Sequence, residues 1–132
     1  MTWSAAYLDA SAAVKLLVAE AESAALAALL DETALWISSE ILDIELGCFT
    51  DRHDGPLLTD RSRLIGKFEL VAFLPEVRER AAAPFTPPQR ALDAIHLATA
   101  LHLRLEGMAF VSYDRQPLAA AEAGGLSCLS PA

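Results

Sequence analysis

Residues 91–101 read ALDAIHLATAL. On a helical wheel their apolar side chains fall on nearly every side, a pattern typical of a helix enclosed by other elements. Asp93 interrupts the pattern, because an ionised carboxylate is costly to bury unless it meets a cation, a hydrogen-bond donor or water. The stretch therefore predicts a buried central helix whose single acid needs a partner elsewhere in the chain.

The ends of this helix have their own sequence signals. Residues 86–89, TPPQ, are typical of a capping box that places Pro87 at the first helical position. Gly107 is typical of a helix end, so the central helix is predicted to run to about Leu105.

Strands and helices alternate along the rest of the chain. Short apolar runs that predict strands lie at residues 5–8, 35–37, 68–74, 108–112 and 126–129. The segments between them have helical composition. This alternation predicts one domain, residues 1–132, folded as a three-layer α/β/α sandwich around a mostly parallel sheet of about five short strands.

The chain is strongly acidic, with a formal net charge of -8. That balance argues against non-specific nucleic-acid binding through a broad basic surface. It does not exclude a nucleic-acid enzyme, because acids that converge on divalent cations are neutralised locally. A basic partner chain would offset more of the charge.

The cysteines and the N-terminal segment indicate the cellular compartment of the protein. Cys48 and Cys128 lie in apolar surroundings without metal-ligand spacing, so we expect buried free thiols in a reducing compartment. Asp9 and Lys15 break the only long apolar stretch, which is therefore neither a signal peptide nor a membrane span. A cytoplasmic protein without membrane contact is the expectation.

Four carboxylates are candidates for one site. Asp9 and Asp114 each follow a predicted strand, at the sheet edge where open parallel sheets bind ligands. Glu45 lies on the core-facing stripe of its predicted helix, whereas its neighbour Asp43 falls on the solvated face. Together with Asp93, they predict an acidic site.

Each acid also has a structural explanation of its own. Asp9 and Asp114 are well placed as helix N-caps, which for either alone is at least as good an explanation as catalysis. Glu45 could pair with an arginine, and Asp93 with backbone donors or an ion partner. Separate causes for all four are less economical than one shared metal site.

Such a site has a defined chemistry. Clustered carboxylates repel one another unless a divalent cation neutralises them, and hard oxygen ligands favour Mg²⁺ or Mn²⁺. A divalent cation also activates water for attack on a phosphodiester. Ser11 and Ser112, beside the acids, either orient a carboxylate, a water or a phosphate, or form ordinary turn and cap hydrogen bonds.

Other reactive side chains are weaker candidates. His96 and His102 are six residues apart and share no helix face, so packing roles are expected for both. Lys15 and Arg115 are near Asp9 and Asp114 in sequence and could contact a phosphate, but solvated side chains are the simpler interpretation.

Four segments carry a resemblance to a known family. They are YLDASA at 7–12, SEILDIEL at 39–46, LDAIHLA at 92–98 and VSYD at 111–114. In order and over essentially the whole chain, they resemble the four acidic motifs of PIN-domain ribonucleases, in particular the VapC-type toxins of bacterial toxin-antitoxin pairs. Ser112 stands where that family often has threonine, and residues 81–88 are an unusual approach to the central helix.

The resemblance implies a Mg²⁺- or Mn²⁺-dependent endoribonuclease that inhibits translation by cutting RNA. Asp9, Glu45, Asp93 and Asp114 would be its catalytic, metal-binding acids. The family usually forms homodimers and is held inactive by a cognate, VapB-like antitoxin that places a basic side chain in the acidic pocket.

Two alternatives stand beside it. One is another acidic-pocket α/β protein, either a phosphoacceptor receiver domain or an aspartate-nucleophile phosphatase. The chain has no lysine after Lys67 for a receiver, and Ser11 stands where a phosphatase needs a second aspartate. The other is a catalytically silent binding module that keeps the fold, which loss of a motif acid would favour. None of the four is lost.

Overall fold

The computed structural model describes residues 2–132, which form five strands and seven α-helices. In chain order these elements are β1 Ala5–Leu8, α1 Ala10–Ala13, α2 Ser23–Asp31, β2 Leu35–Ser39, α3 Ile41–Arg52, α4 Arg61–Ile65, β3 Glu69–Val71, α5 Pro75–Ala82, α6 Ala91–Leu103, β4 Met108–Val111, α7 Arg115–Ala123 and β5 Ser127–Leu129. A 3₁₀ turn, Val14–Leu16, follows α1. Over residues 2–132, no helix has the length and apolarity that crossing a bilayer would need.

The sheet is parallel throughout and has the strand order β3-β2-β1-β4-β5. The chain runs outward from β1 to β3, then crosses to β4 and runs outward again to β5. Strand order therefore reverses between β1 and β4, where Leu8 lies beside Val111. In open parallel sheets ligands bind at the carboxyl ends of the strands at such a reversal. The predicted fold class is confirmed.

Helices cover both faces of the sheet, so successive side chains of a strand pack alternately into two cores. Ala6 and Leu8 of β1 pack with Leu42 and Leu46 of α3 in one core. The intervening Tyr7 packs with residues of α6 and α7 in the other core. Burial on both faces explains why β1 and β4 are continuously apolar instead of alternating with polar residues.

The central helix α6 begins later than the sequence predicts. It starts at Ala91 and not at Pro87, so the capping-box prediction is wrong. A proline disfavours helical geometry in the residue before it, and Pro88 does this to Pro87. The Gln89 amide donates to the carbonyl oxygens of Pro87 and Gln116, at 2.8 and 3.0 Å, and so is not reaching back to Thr86.

The other end of α6 and its surroundings also differ from expectation. The helix ends at Leu103, because Arg104 adopts a left-handed conformation with φ of 37°. Leu92 is 50% exposed, so the first turn of α6 is open to solvent on one side. The helix is enclosed only from its second turn onward.

β3 is shorter than predicted, since it ends at Val71 and not at residue 74. The amide of Phe73 donates to the Glu40 carboxylate at 2.9 Å, which takes the chain away from the sheet. The prediction of two buried thiols is also wrong. Cys48 is exposed at the groove that Glu45 also lines, and Cys128 is half-buried.

Candidate functional site

Asp9, the first residue after β1, is held by hydrogen bonds on both carboxylate oxygens. Oδ1 accepts from the Ser11 hydroxyl at 2.6 Å and from the amide of Ala12 at 3.1 Å. Oδ2 accepts from the Ser112 hydroxyl at 2.5 Å. Asp9 is thus the N-cap of α1, and its side chain is also fixed beside the end of β4.

Asp9 is only 2% exposed, which sets its electrostatics. Burial raises the pKa of the Asp9 carboxyl, because the charged form loses its hydration. The hydrogen bonds from Ser11 and Ser112 act against that rise, since they stabilise the ionised form. Both serines therefore support Asp9 directly, and each also contacts the β4–α7 turn.

Asp114 follows β4 and caps α7. Its Oδ1 accepts from the Gln116 amide at 3.1 Å, and its own amide donates to the Ser112 hydroxyl at 3.1 Å. Unlike Asp9, Asp114 is exposed. The Ser112 hydroxyl therefore links the two strand-end acids, one buried and one open to solvent.

Glu45 lies on the inner side of α3, as its helical position predicts. Its side chain is 13% exposed, whereas that of Asp43 is 46% exposed and pairs with Arg61 on the outside. Glu45 Oε1 lies 2.5 Å from Nε2 of His96. Sequence periodicity therefore separates these two acids correctly.

His96 has a role that sequence analysis missed. It is 1% exposed, and its second ring nitrogen, Nδ1, lies 2.8 Å from the hydroxyl of Tyr7. The expectation of a packing role is wrong, because both ring nitrogens make hydrogen bonds, one of them to a candidate site acid. The available signal was a histidine one helical turn after Asp93 in an otherwise apolar helix.

Asp93 lies in the first turn of α6 and is half-buried. Burial raises the pKa of its carboxyl, and repulsion from Asp114, Asp9 and Glu45 raises it further. The nearby His96 acts to lower the pKa of Asp93. All three other candidate acids are thus near enough to Asp93 to disfavour its charge.

Two depressions are lined by three of the four acids. Asp93 and Asp114 line a cavity of about 430 Å³, together with Gln89 and Gln116. Glu45 lines a more apolar groove of about 740 Å³. Among residues 2–132, no three histidine, cysteine, aspartate or glutamate side chains form a group that could by itself hold a metal ion.

The available ligands nonetheless fit a hard divalent cation. Mg²⁺ is usually held by one or two carboxylates while it keeps several waters, and Asp93 and Asp114 can supply such a pair. The buried Oε1 of Gln89, beside the same cavity, has no hydrogen-bond partner within residues 2–132. Every candidate ligand is a carboxylate, amide or hydroxyl oxygen, which suits Mg²⁺ or Mn²⁺ better than zinc.

The two basic candidates differ in their surroundings. Lys15 is not solvated as expected, since its side chain is 11% exposed and its Nζ lies 2.8 Å from a Glu22 carboxylate oxygen. The same Nζ lies 4.7 Å from the centre of the Tyr113 ring. Arg115 is exposed, next to Asp114. Of the two, only Arg115 has its side chain open to solvent.

A sequence model of the PIN domain matches residues 6–123. The chain belongs to the PIN-domain family. This PIN domain is 39% identical over 132 residues to Ribonuclease VapC35 of Mycobacterium tuberculosis, and the alignment covers 95% of this chain and 96% of that relative. It is 33% identical over 129 residues to Ribonuclease VapC46 of the same organism, and that alignment covers 97% of this chain and 98% of the relative. The resemblance to VapC-type PIN domains is confirmed.

Proposed function

We propose that this PIN domain is a Mg²⁺- or Mn²⁺-dependent endoribonuclease. The observation that carries the proposal is that Asp93 and Asp114 line one cavity beside the reversal of strand order. A divalent cation there would offset the repulsion from Asp114, Asp9 and Glu45, which adds to the effect of burial on the pKa of Asp93. The ribonuclease names of its relatives support RNA as the substrate.

The four acids would share the binding of the cation. Asp93 and Asp114 border one cavity and are the more accessible pair. Asp9 is held in place by hydrogen bonds from two serine hydroxyls. Glu45 approaches from α3 with one oxygen held by His96. A bound divalent cation supplies charge neutralisation at the phosphodiester and activation of water. Ser11 and Ser112 favour the ionised form of Asp9 by donating to it.

RNA must reach this site despite the net charge of -8. Arg90 lines the same cavity as Asp93 and Asp114, and Arg115 is the next residue in the chain after Asp114. Both arginines are exposed, and guanidinium groups bind phosphate in a bidentate manner. We assign them to backbone contacts on either side of the scissile phosphate.

We further propose that the protein is the toxin of a toxin-antitoxin pair, inhibits translation in the cytoplasm and is neutralised by a VapB-like antitoxin. The apolar groove beside Glu45 supports a peptide partner, because Ile44 and Leu92 on its walls are 68% and 50% exposed. An acidic chain suits a basic partner. Phe73 and Leu74, 40% and 38% exposed, offer a second apolar surface for a homodimer.

The decisive experiment incubates the purified protein with structured RNAs and maps the new ends. Cleavage is expected with Mg²⁺ or Mn²⁺ and is lost in excess EDTA or in Asp93→Asn. Asp43→Asn is the matched control, because Asp43 is an exposed acid paired with Arg61 outside the site. Undiminished cleavage in EDTA, or by a folded Asp93→Asn protein, would refute the mechanism. Brief induction in cells, with RNA ends mapped for the native chain and Asp93→Asn, identifies the target.

A further inference from the structure

We propose that Tyr7 and His96 are positioning residues, which hold the Glu45 carboxylate through a chain of two hydrogen bonds. This role rests on the proposed function, in which Glu45 is one of the acids that bind the cation. Neither Tyr7 nor His96 contacts RNA or the cation in this assignment. They act only through Glu45.

The direction of the chain follows from what each atom can donate. Glu45 Oε1 lies 2.5 Å from His96 Nε2, and an ionised carboxylate only accepts hydrogen bonds. Nε2 therefore carries the proton, and in the neutral ring Nδ1 is an acceptor. The Tyr7 hydroxyl, 2.8 Å away, donates to it. Tyr7 thus selects the ring tautomer that serves Glu45.

Tyr7 is well suited to be a fixed donor. It is fully buried, and its ring stacks on Phe110 with the centroids 5.7 Å apart. The ring also meets the imidazole edge-on, with centroids 5.8 Å apart. Packing therefore fixes the position of the donor.

The chain joins the three elements that bring three of the four acids to the site. Tyr7 lies on β1, two residues before Asp9, and His96 lies on α6, one turn after Asp93. Glu45 is on α3. A movement of any one element relative to the others would lengthen one of the two hydrogen bonds. The hydrogen-bond chain therefore keeps the three acids in fixed relative positions.

The free oxygen of Glu45 is then available to the cation. The hydrogen bond occupies Oε1, and no other side-chain hydrogen bond to Glu45 occurs within residues 2–132. Glu45 borders an open groove, so without His96 its side chain could turn outward. Partners that orient a metal ligand raise metal affinity, and their removal typically costs about 10–100-fold.

The test measures Mn²⁺ binding by calorimetry, without RNA. His96→Leu is expected to weaken binding by about 10–100-fold. His96→Gln should recover part of the loss, because its amide can donate to Glu45. Tyr7→Phe, which keeps the ring and removes only the hydroxyl, should weaken binding by about threefold, the effect of one modest hydrogen bond.

Two controls separate positioning from stability. His102→Gln makes the same change at an exposed histidine of α6 and should bind Mn²⁺ like the wild type. Leu26→Ala removes packing from a fully buried residue of α2, in the core on the other face of the sheet from Tyr7, so it should lower thermal stability and leave Mn²⁺ affinity nearly unchanged. Nitrogen NMR of the wild-type imidazole, in the absence of metal, should show the proton on Nε2.

The outcomes distinguish this role from the proposed function. Wild-type Mn²⁺ affinity in folded Tyr7→Phe and His96→Leu, or a neutral ring with its proton on Nδ1, would overturn the positioning role. If the variants lose Mn²⁺ affinity as expected but the wild type cleaves no RNA, the positioning role stands and the ribonuclease assignment fails.

Discussion

The hydroxyl of Ser112 donates a 2.5 Å hydrogen bond to Oδ2 of Asp9, across 103 residues of sequence. Ser112 is fully buried, and its oxygen accepts from the amide of Asp114 at 3.1 Å. One hydroxyl therefore connects the ends of β1 and β4 at the reversal of strand order. This bond favours the ionised form of Asp9, whose pKa burial raises.

Ser112→Ala should therefore alter both stability and pH dependence. The lost bonds should lower the free energy of unfolding by about 1–2 kcal/mol. The pKa of Asp9 should rise further, since one of the donors that opposes burial is gone. Metal-dependent RNA cleavage should consequently require a higher pH.

The matched control for this variant is Ser38→Ala. Ser38 is also fully buried, and its hydroxyl donates to the carbonyl oxygen of Leu8 at 2.7 Å, with no link to an acid. Ser38→Ala should lose similar stability while its pH–rate profile stays in place. Identical profiles for the wild type and Ser112→Ala would show that the serine does not tune Asp9.

Asp93→Asn should stabilise the metal-free protein at pH 7. The folded-state pKa of Asp93 lies above the ordinary 3.8, through burial and then repulsion from Asp114, Asp9 and Glu45, so ionisation disfavours the folded state. Solvent screens this half-exposed group, and we expect a gain of up to about 1 kcal/mol. Denaturation in urea with EDTA present measures it.

The pH dependence of that gain has a defined sign. A raised carboxyl pKa contributes stability that is fully present below the unfolded value and is lost as pH rises through the folded value. The difference between Asp93→Asn and the wild type should therefore shrink as pH falls from 7 toward 3.8. Asp43→Asn, which breaks the ion pair with Arg61, should show no such gain. A pH-independent difference would argue against charge repulsion.

The positions of the four acids in the fold were predictable because their signals are local. Asp9 directly follows the apolar β1, Asp114 comes three residues after the end of β4, and the periodicity of α3 separates Glu45, 13% exposed, from Asp43, 46% exposed. The partners of these acids were not predictable. His96 acquires its role from Tyr7, 89 residues earlier in the chain, and no local pattern encodes that contact.

The start of α6 was mispredicted for the same reason. Thr86 to Gln89 has the composition of a capping box, but the Gln89 amide instead donates to the carbonyl oxygen of Gln116, 27 residues away. A tertiary contact thus overrides a local preference. Cys48 was placed inside because its neighbours are apolar, yet several of those neighbours line an open groove.

The two cysteines should react at very different rates. Cys48 is exposed, whereas burial raises the pKa of the Cys128 thiol from 9.0 to about 11. Since the thiolate is the reactive form, Cys128 should hold about a hundredfold less of it than an unperturbed thiol. Iodoacetamide at pH 8, followed by mass spectrometry, should modify Cys48 first. Cys48→Ser should remove the fast reaction, and equal labelling at both sites would contradict the burial of Cys128.

Addition of Mn²⁺ should stabilise the folded protein through Asp93. A ligand that binds only the folded state at a hundred times its Kd adds about 2.7 kcal/mol to the free energy of unfolding. The wild type and Asp43→Asn should both show this gain in urea denaturation, and EDTA should remove it. Asp93→Asn should gain much less, because it loses a cavity-lining carboxylate. An equal gain in Asp93→Asn would place the bound ion elsewhere on the protein, and the acidic site would then need another explanation for its crowded charges.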